Sequence, residues 1–501
     1  MAHRPFFIWY NLIIATGIDR QGDTVMRKTK IVCTMGPKES DEKILAELVK
    51  EMDVARFNFS HGDHESHLEM LTRVRKAAEK AGRPIATLLD TKGPEIRTGL
   101  LEGHEKVTLK KGSEVVISYY NDPADEGNAE HVYVTYPDMA KDLSAGDTVL
   151  IDDGAIELKV MAIDGKDLRC KVITGGILSE RKGVNLPGIN VGLPDLTEKD
   201  YDDIAFGLDN GFDFIAASFV RNAGTIKKIR ALAEEKGSRI KIIAKIESKE
   251  GIDNLEEIIE AADGVMVARG DLGVEVEAKR IPQLQREMIQ KCNEKGKIVI
   301  TATQMLDSMM RNPRPTRAEV TDVANAVYEG SDAVMLSGET ASGDYPVEAL
   351  TMMSSIAEYT EQFVTQDIDI LEAGGEGVTV SGTTCKAAVA AAQELGAKAI
   401  IAPTTSGSTV LSVSKCRPSS DIYAFSPEPQ VVRQMMLLWG VRPMLAERAH
   451  STDELMEDCL DLMNEAGITE AGDILVFIAG VVSGRHSYQR SETNTMKIIK
   501  I

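Results

Sequence analysis

Eight short apolar runs, TKIVCTMG, DVARFNFS, IATLLDT, FDFIAASF, IKIIAKIE, GVMVARGD, KIVITATQ and AVMLSGET, recur between Thr29 and Thr340, most of them separated by helix-length polar or amphipathic stretches. Each suits a buried parallel strand, since a strand covered by helices is apolar throughout rather than alternating. Eight such units predict a closed (β/α)₈, or TIM, barrel. The runs also end alike: Ser60, Asp90, Glu247, Asp271, Gln304 and Glu339 stand at or near their C-terminal ends. Strands that merely fray into loops explain one or two such ends, not six. In this barrel the C-terminal face of the strands holds the active site, so the pattern places the chemistry there.

The rest of the chain is expected to form separate units, because 501 residues exceed what one core usually supports. Residues 1–25 read as an N-terminal extension. Their apolar stretch PFFIWYNLIIATG is too short to span a bilayer and has a poor signal-peptide flank. Barrel patterning begins at Met26 and occupies residues 26–92 and 194–370. Between them, residues 93–193 carry β-rich pieces (KVTLKKG, SEVVISYY, DTVLIDDG, IELKVMAI) broken by Gly, Asp and Asn, which predicts an inserted small all-β domain. It leaves and rejoins on the active-site side, so a water-excluding lid is expected. Helical MMSSIAEYTEQFV then gives way to an acidic, glycine-rich boundary at 367–377. Beyond it, helical CKAAVAAAQELG, strand-like AKAIIAP, helical PQVVRQMMLLWG and strand-like DILVFIAG predict a C-terminal α/β sheet domain over 371–501.

A net charge of −21 excludes a general nucleic-acid binder or an anionic-membrane binder. The six cysteines (Cys33, Cys170, Cys292, Cys385, Cys416, Cys459) lie far apart without zinc-like spacing, so a reducing, cytoplasmic location and small buried thiols are expected.

No Walker A motif and no kinase-type glycine loop occurs, so side chains at the barrel mouth must hold any phosphate. Lys245 and Glu247 share one side of a strand, and Asp271 ends the next. Two carboxylates beside an ammonium suit Mg²⁺ or Mn²⁺, with the remaining positions left to substrate oxygens. The plain alternative is a buried Lys245–Glu247 ion pair. Arg56 could clamp phosphate. Asn58, Ser60, Asp90 and Thr91 offer one charge and several neutral oxygens, a set matched to a weakly held monovalent cation. His61, His64 and His67 read as a solvated helix start rather than a zinc site, because no third ligand stands at a recognised spacing.

NFSHG, LDTKGPEIRTG, RKGVNLPG, AKIES, MVARGDLG, ATQMLDSM, RPTRAEVTDVANAV and MLSGETASGDYP, in this order, resemble the successive motifs of pyruvate kinases, and the likeness runs from Lys28 nearly to the C-terminus. It implies phosphoryl transfer from phosphoenolpyruvate to ADP in glycolysis, giving pyruvate and ATP. By resemblance, Lys245 stabilises the transition state, and Glu247 and Asp271 bind Mg²⁺. Arg56, Lys245, Gly270, Asp271 and Thr303 hold phosphoenolpyruvate. Asn58, Ser60, Asp90 and Thr91 bind K⁺, while Asn58, Phe59, Ser60, His61, Arg97 and Lys182 touch nucleotide. The acid Glu95 in TKGPEIR resembles the K⁺-dependent branch, which implies dependence on K⁺. Once the phosphoryl group leaves, an enolate must gain a proton, for which Thr303, with Ser337 and Glu339, is the expected route.

Thr404, Thr405, Ser406, Gly407, Ser408 and Thr409 resemble the family's effector-phosphate loop; fructose 1,6-bisphosphate, AMP and ribose 5-phosphate all remain open, with Arg485 and Arg490 as further phosphate partners. An allosterically regulated homotetramer without an appended phosphohistidine-like module is expected. Two other readings fit the sequence less well. A metal-dependent aldolase on the same barrel has no use for Arg97 and Lys182 on a lid, and a catalytically dead sensor would have lost some of Lys245, Glu247, Asp271 and Thr303.

Overall fold

The computed structural model describes residues 27–364 apart from 121 and 123, together with 379–480 and 492–501. The N-terminal extension, the acidic boundary at 367–377, and Arg485 and Arg490 lie outside the described residues. All eight apolar runs form strands: β1 Lys30–Met35, β2 Val54–Asn58, β3 Ala86–Asp90, β4 Phe214–Ala217, β5 Lys241–Ile246, β6 Gly264–Ala268, β7 Ile298–Ala302 and β8 Ala333–Leu336. They close in chain order into one barrel, and every neighbouring pair is parallel. Alternation within each strand sorts the core. Ile31 and Cys33 face the helices, while Val32, Leu88, Phe214, Met266 and Ile300 fill the interior.

An ordered set of charges closes the floor. Asp53, Asp213, Asp263 and Asp332 each immediately precede an even-numbered strand, and each carboxylate accepts the backbone N–H of a residue on the preceding odd-numbered strand: Ile31 (2.8 Å), Thr87 (2.9 Å), Ile242 (2.9 Å) and Val299 (2.8 Å). Basic side chains neutralise all four. Arg27 and Arg83 serve Asp53, and Arg230 and Lys241 serve Asp263, all from the barrel itself. The C-terminal domain supplies the others: Arg433 reaches Asp213, and Lys415 and Arg417 grip Asp332 at 2.5 and 2.9 Å. This domain therefore docks on the floor, where its apolar core is continuous with the barrel interior.

The C-terminal unit is a five-stranded sheet. Strand β9 (Ala399–Pro403) pairs with both β10 (Asp421–Ser426) and β12 (Ile474–Ala479), and β11 (Val441–Leu445) extends the sheet beyond β10. At the other edge β13 (Thr495–Lys500) runs antiparallel to β12. Helix Val380–Glu394 forms as expected. The reading of PQVVRQMMLLWG as one helix needs correction: the α-helix stops at Gln434 and a single 3₁₀ turn follows. Met435, Met436 and Leu437 are all buried, and the chain turns at Gly440, whose φ of +69° a left-handed position requires, to enter β11.

After β3 the chain departs into the lid, a seven-stranded sheet with an apolar core of its own that includes Val115, Ile117, Val149, Leu158 and Val172. It returns at helix Glu198–Asp209, capped by Thr197. All six cysteines are buried free thiols. Among the described residues no helix is long and apolar enough to cross a membrane.

Candidate active site

The C-terminal ends of β2 to β7 place a buried charge cluster at the barrel mouth. Lys245, near the end of β5, directs Nζ to Asp90 Oδ1 (3.0 Å), Glu247 Oε1 (2.9 Å) and Ser218 Oγ (2.7 Å). Arg56 on β2 donates to Asp90 Oδ2 (2.6 Å) and to Thr34 Oγ1 (2.8 Å). The buried Lys245–Glu247 ion pair exists, and it forms part of a larger network in which Asp90 joins the two cations. Burial opposes the Lys245 ammonium, yet Asp90 and Glu247 outweigh it and hold its pKa above the ordinary lysine value. Burial also pushes Asp90 upward, but Arg56 and Lys245 prevail and keep it ionised below the usual carboxylate range.

Glu247 behaves oppositely. Burial raises its pKa, Lys245 pulls it down, and the negative charge of Asp271 adds to the rise. Asp271 stands in the short helix Arg269–Glu275 that follows β6. Across the cleft the lid residue Asp153 is also raised, by burial and then by Asp271 and Asp152. Glu247, Asp271 and Asp153 line one cleft, where a divalent cation would offset the charge they share. Among the described residues no three His, Cys, Asp or Glu side chains cluster as a closed metal site. A Mg²⁺ site with two protein carboxylates fits that composition.

Backbone strain shapes this mouth. Phe219, Thr303 and Gln304 have φ of +51°, +67° and +53°, which non-glycine residues seldom adopt. The turn at Phe219 aims its N–H at Glu247 Oε2 (2.6 Å). Thr303 Oγ1 accepts the Gly270 N–H (2.8 Å) and donates to Ala302 O (2.7 Å), so Gly270 and Thr303 form one corner. Arg269 holds that corner by donating to Ala302 O (3.1 Å) and Thr303 O (2.7 Å) while pairing with Asp322 (2.6 Å). Glu339, buried, accepts the N–H groups of Leu306 (3.1 Å) and Ser337 (2.7 Å), and burial raises its pKa. Its backbone anchoring suits a loop support.

The expected monovalent-cation residues occupy adjacent strand ends. Asn58 lies in register with Asp90, and the Phe59 N–H donates to Asp90 O (2.9 Å). Several of their oxygens are already engaged: both carboxylate oxygens of Asp90 are held by Lys245 and Arg56, Asn58 Oδ1 accepts the Ser60 N–H (3.1 Å), and Thr91 Oγ1 accepts the Ser218 N–H (3.1 Å). His61, His64 and His67 do not converge on a metal. His64 pairs with Asp203 (2.8 Å), and the His67 ring stacks on Phe59 at 4.0 Å.

Lid and barrel enclose a cleft of about 280 Å³ lined by Glu95, Arg97, Asp152, Asp153, Lys182, Phe219, Arg221, Glu247 and Asp271 among others. Arg97 pairs with Glu95 (2.5 Å) and donates to Arg181 O (2.7 Å), while Lys182 pairs with Asp152 (2.8 Å). One oxygen of Glu95 and Nε of Arg97 are buried with no hydrogen-bond partner. Lys92 Nζ stands 3.8 Å from that oxygen, beyond hydrogen-bond reach, so the pair has room for a further polar partner. The lid also reaches the barrel through Asn185 Nδ2, which donates to Glu275 Oε1 (3.0 Å).

In the C-terminal domain, Thr404 Oγ1 accepts the Gly407 N–H (2.9 Å), Ser406 and Ser408 hydroxyls meet at 3.1 Å, and Thr409 contacts Thr493 at 2.6 Å. This hydroxyl-rich loop opens helix Ser408–Lys415.

Sequence reading missed Ser218, Phe219, Asp153, Arg269 and Glu275. Ser218 and Phe219 directly follow an apolar strand of the kind that delivers the other mouth residues, a signal that could have found them. Arg269 sits inside the motif MVARGDLG. Asp153 and Glu275 act through contacts between domains, which strand patterning does not display.

A family model described as "Pyruvate kinase, barrel domain" matches residues 26–350, and one described as "Pyruvate kinase, alpha/beta domain" matches residues 382–499. The chain is 48% identical over 477 residues to a pyruvate kinase of Geobacillus stearothermophilus, covering 94% of this chain and 80% of the relative. It is 47% identical over 485 residues to one from Staphylococcus epidermidis, with the same coverage. The crystal structure of a pyruvate kinase from Cryptosporidium parvum superposes with a TM-score of 0.87 at 40% identity, covering 95% of this chain and 96% of that one.

Proposed function

The chain belongs to the pyruvate kinase family and is a phosphotransferase, and from that premise we propose that its barrel mouth carries out Mg²⁺- and K⁺-dependent phosphoryl transfer from phosphoenolpyruvate to ADP in glycolysis. The observation that carries the reading is the charge arrangement of the mouth: Lys245 and Arg56 converge on the buried carboxylate of Asp90, while Glu247 pairs with Lys245 beside Asp271 in the same cleft.

Arg56, Lys245, Gly270, Asp271 and Thr303 form the substrate pocket. Arg56 supplies a guanidinium fork to the phosphate, in exchange for part of its hold on Asp90. Lys245 stays protonated and stabilises negative charge on the bridging oxygen as the phosphoryl group departs, in a setting where burial strengthens each interaction. Mg²⁺, which Glu247 and Asp271 would hold, supplies positive charge to the phosphoryl and enolate oxygens. Thr303, with Ser337 and Glu339, would pass the proton that converts enolate to pyruvate. Asn58, Ser60, Asp90 and Thr91 would hold K⁺, and the resemblance of TKGPEIR to the K⁺-dependent branch makes Glu95 part of that requirement. Arg97 and Lys182 on the lid, with Asn58, Phe59, Ser60 and His61, would hold the nucleotide.

The family resemblance further supports a cytoplasmic homotetramer regulated through Thr404–Thr409 by a sugar phosphate or AMP. The direct test is pyruvate formation from phosphoenolpyruvate and ADP with Mg²⁺, measured with and without K⁺. K⁺-stimulated turnover is expected; no turnover from folded, effector-supplemented enzyme overturns the proposal.

A further inference from the structure

The chain leaves the barrel at Gly93 and returns at Thr197, and one carboxylate fastens both connections. Asp200, completely buried, lies in the first turn of helix Glu198–Asp209. Its Oδ1 accepts the Gly93 N–H at 2.9 Å. Its Oδ2 accepts the Thr197 N–H at 2.8 Å and the Thr197 hydroxyl at 2.7 Å, and the Asp200 N–H returns to Thr197 Oγ1 at 3.1 Å. Capping this helix needs only the Thr197 side of that arrangement. Among the described residues no ion pair involves Asp200, so its buried oxygens depend on these hydrogen bonds, and Oδ1 is used on the lid's exit.

Gly93 in turn is pressed against the mouth. Its φ is +73°, and a Cβ there would lie 2.8 Å from Ser218 Cβ and 2.9 Å from the Phe219 ring. Ser218 contacts Lys245, and the Phe219 N–H contacts Glu247. Beyond Gly93 the chain runs through Glu95 to Arg97. On the return side Arg221, just past Phe219, donates to the carbonyls of Val191 (2.6 Å) and Leu193. The lid's two connections are thus tied to each other by Asp200 and to the mouth by Gly93 and Arg221.

We infer that Asp200 is a positioning residue for phosphoryl transfer: by holding both lid connections on one carboxylate, it sets the angle at which Arg97 and Lys182 face Lys245 and Glu247. This rests on the reading of Arg97 and Lys182 as nucleotide-side groups. Asp200→Asn offers one acceptor oxygen in place of two and can keep Gly93 or Thr197, not both. Thr197→Val removes the cap hydroxyl and leaves the bond from Gly93 to Asp200.

Both variants are compared in the full-length enzyme by steady-state kinetics, thermal melting and amide hydrogen exchange. Asp200→Asn is expected to raise KM for ADP by about tenfold or more and to lower kcat, since small misplacements of binding groups are amplified in rate. Exchange should accelerate over residues 91–97 and 191–197. Thr197→Val should melt at a similarly reduced temperature with near-normal KM and exchange confined to the helix start. Identical kinetics and exchange in the two variants overturn the inference, as does accelerated exchange in Asp200→Asn with unaltered Michaelis constants. If Asp200→Asn does not fold, Asp200→Glu, which keeps both acceptor oxygens on a longer arm, is read against the same outcomes. An ADP constant unaffected by Arg97→Ala, with Asp200 intact, overturns the nucleotide reading instead.

Discussion

Both ends of the barrel are lined with buried or half-buried carboxylates, and they are used in opposite ways. On the floor Asp53, Asp213, Asp263 and Asp332 each accept a backbone N–H of a neighbouring strand and meet at least one basic side chain. At the mouth Glu247 and Asp271 line the same cleft, with Lys245 shared between Glu247 and Asp90. Satisfied charge holds the strands in register and docks the C-terminal domain. Unsatisfied charge, maintained by the rigid scaffold beneath it, is available to ligands. The difference shows that an acid at a strand end has no fixed meaning: what its partners leave uncompensated decides its role.

Substitutions at the two ends should separate along that line. The largest effect is expected for Lys245→Met, which should lower kcat by about 10³-fold or more while the thermal transition stays cooperative. A retained rate would break the comparison at the mouth. Asp332→Asn strikes the floor, leaving Lys415, 1% exposed, with an uncompensated charge. It should cost about 3–5 kcal/mol of stability, read by denaturant unfolding, with kcat of the folded fraction close to normal. Glu95→Lys should abolish stimulation by K⁺ while turnover in its absence rises, measured by titrating K⁺ at saturating substrates.

The smallest effect tests pH. Burial pushes Asp263 upward, but Lys241 and Arg230 hold its pKa below the ordinary value. Its stabilisation is therefore present above the unfolded carboxylate pKa of about 3.9 and is lost as pH falls through the lower folded value. Both bases are more than a third exposed, so Asp263→Asn should flatten the acid limb of the stability curve by only about 1 kcal/mol. At Asp213 burial instead raises the pKa despite Arg433. Its contribution is present below the unfolded carboxylate pKa and is lost as pH rises through the raised folded value, so Asp213→Asn should steepen the acid limb rather than flatten it. Equal responses at Asp263 and Asp213 would contradict the opposite pKa shifts of the two pairs.

Much of this was legible beforehand. Eight buried parallel strands announce themselves as continuous apolar runs, and Lys245, Glu247 and Asp271 follow from residue parity and strand ends. The floor was spelled out too, as Asp before Val54, Phe214, Gly264 and Ala333, but an acid beside an apolar run reads equally as the end of a loop. Its meaning depends on bases such as Lys415 and Arg433, far away in sequence and brought in only by domain docking. Asp153 and Asn185 escape for the same reason, since they act across the lid cleft. The positive φ of Phe219 and Thr303 has no signature in residue type, because neither is a glycine. The helix expected to run through Met435 was cut short by burial on every side, a tertiary effect that local periodicity does not reveal.

The central claim, that the mouth's surplus negative charge exists to hold a divalent cation, is tested most directly by titrating Mn²⁺ into the full-length enzyme and into Glu247→Gln by calorimetry. The account predicts saturable binding by the unaltered enzyme, loss of that binding in Glu247→Gln, and an unchanged or slightly raised melting temperature, because neutralising Glu247 relieves its repulsion with Asp271. Mn²⁺ binding of equal affinity in Glu247→Gln, or a fold that collapses without the charge, would contradict it.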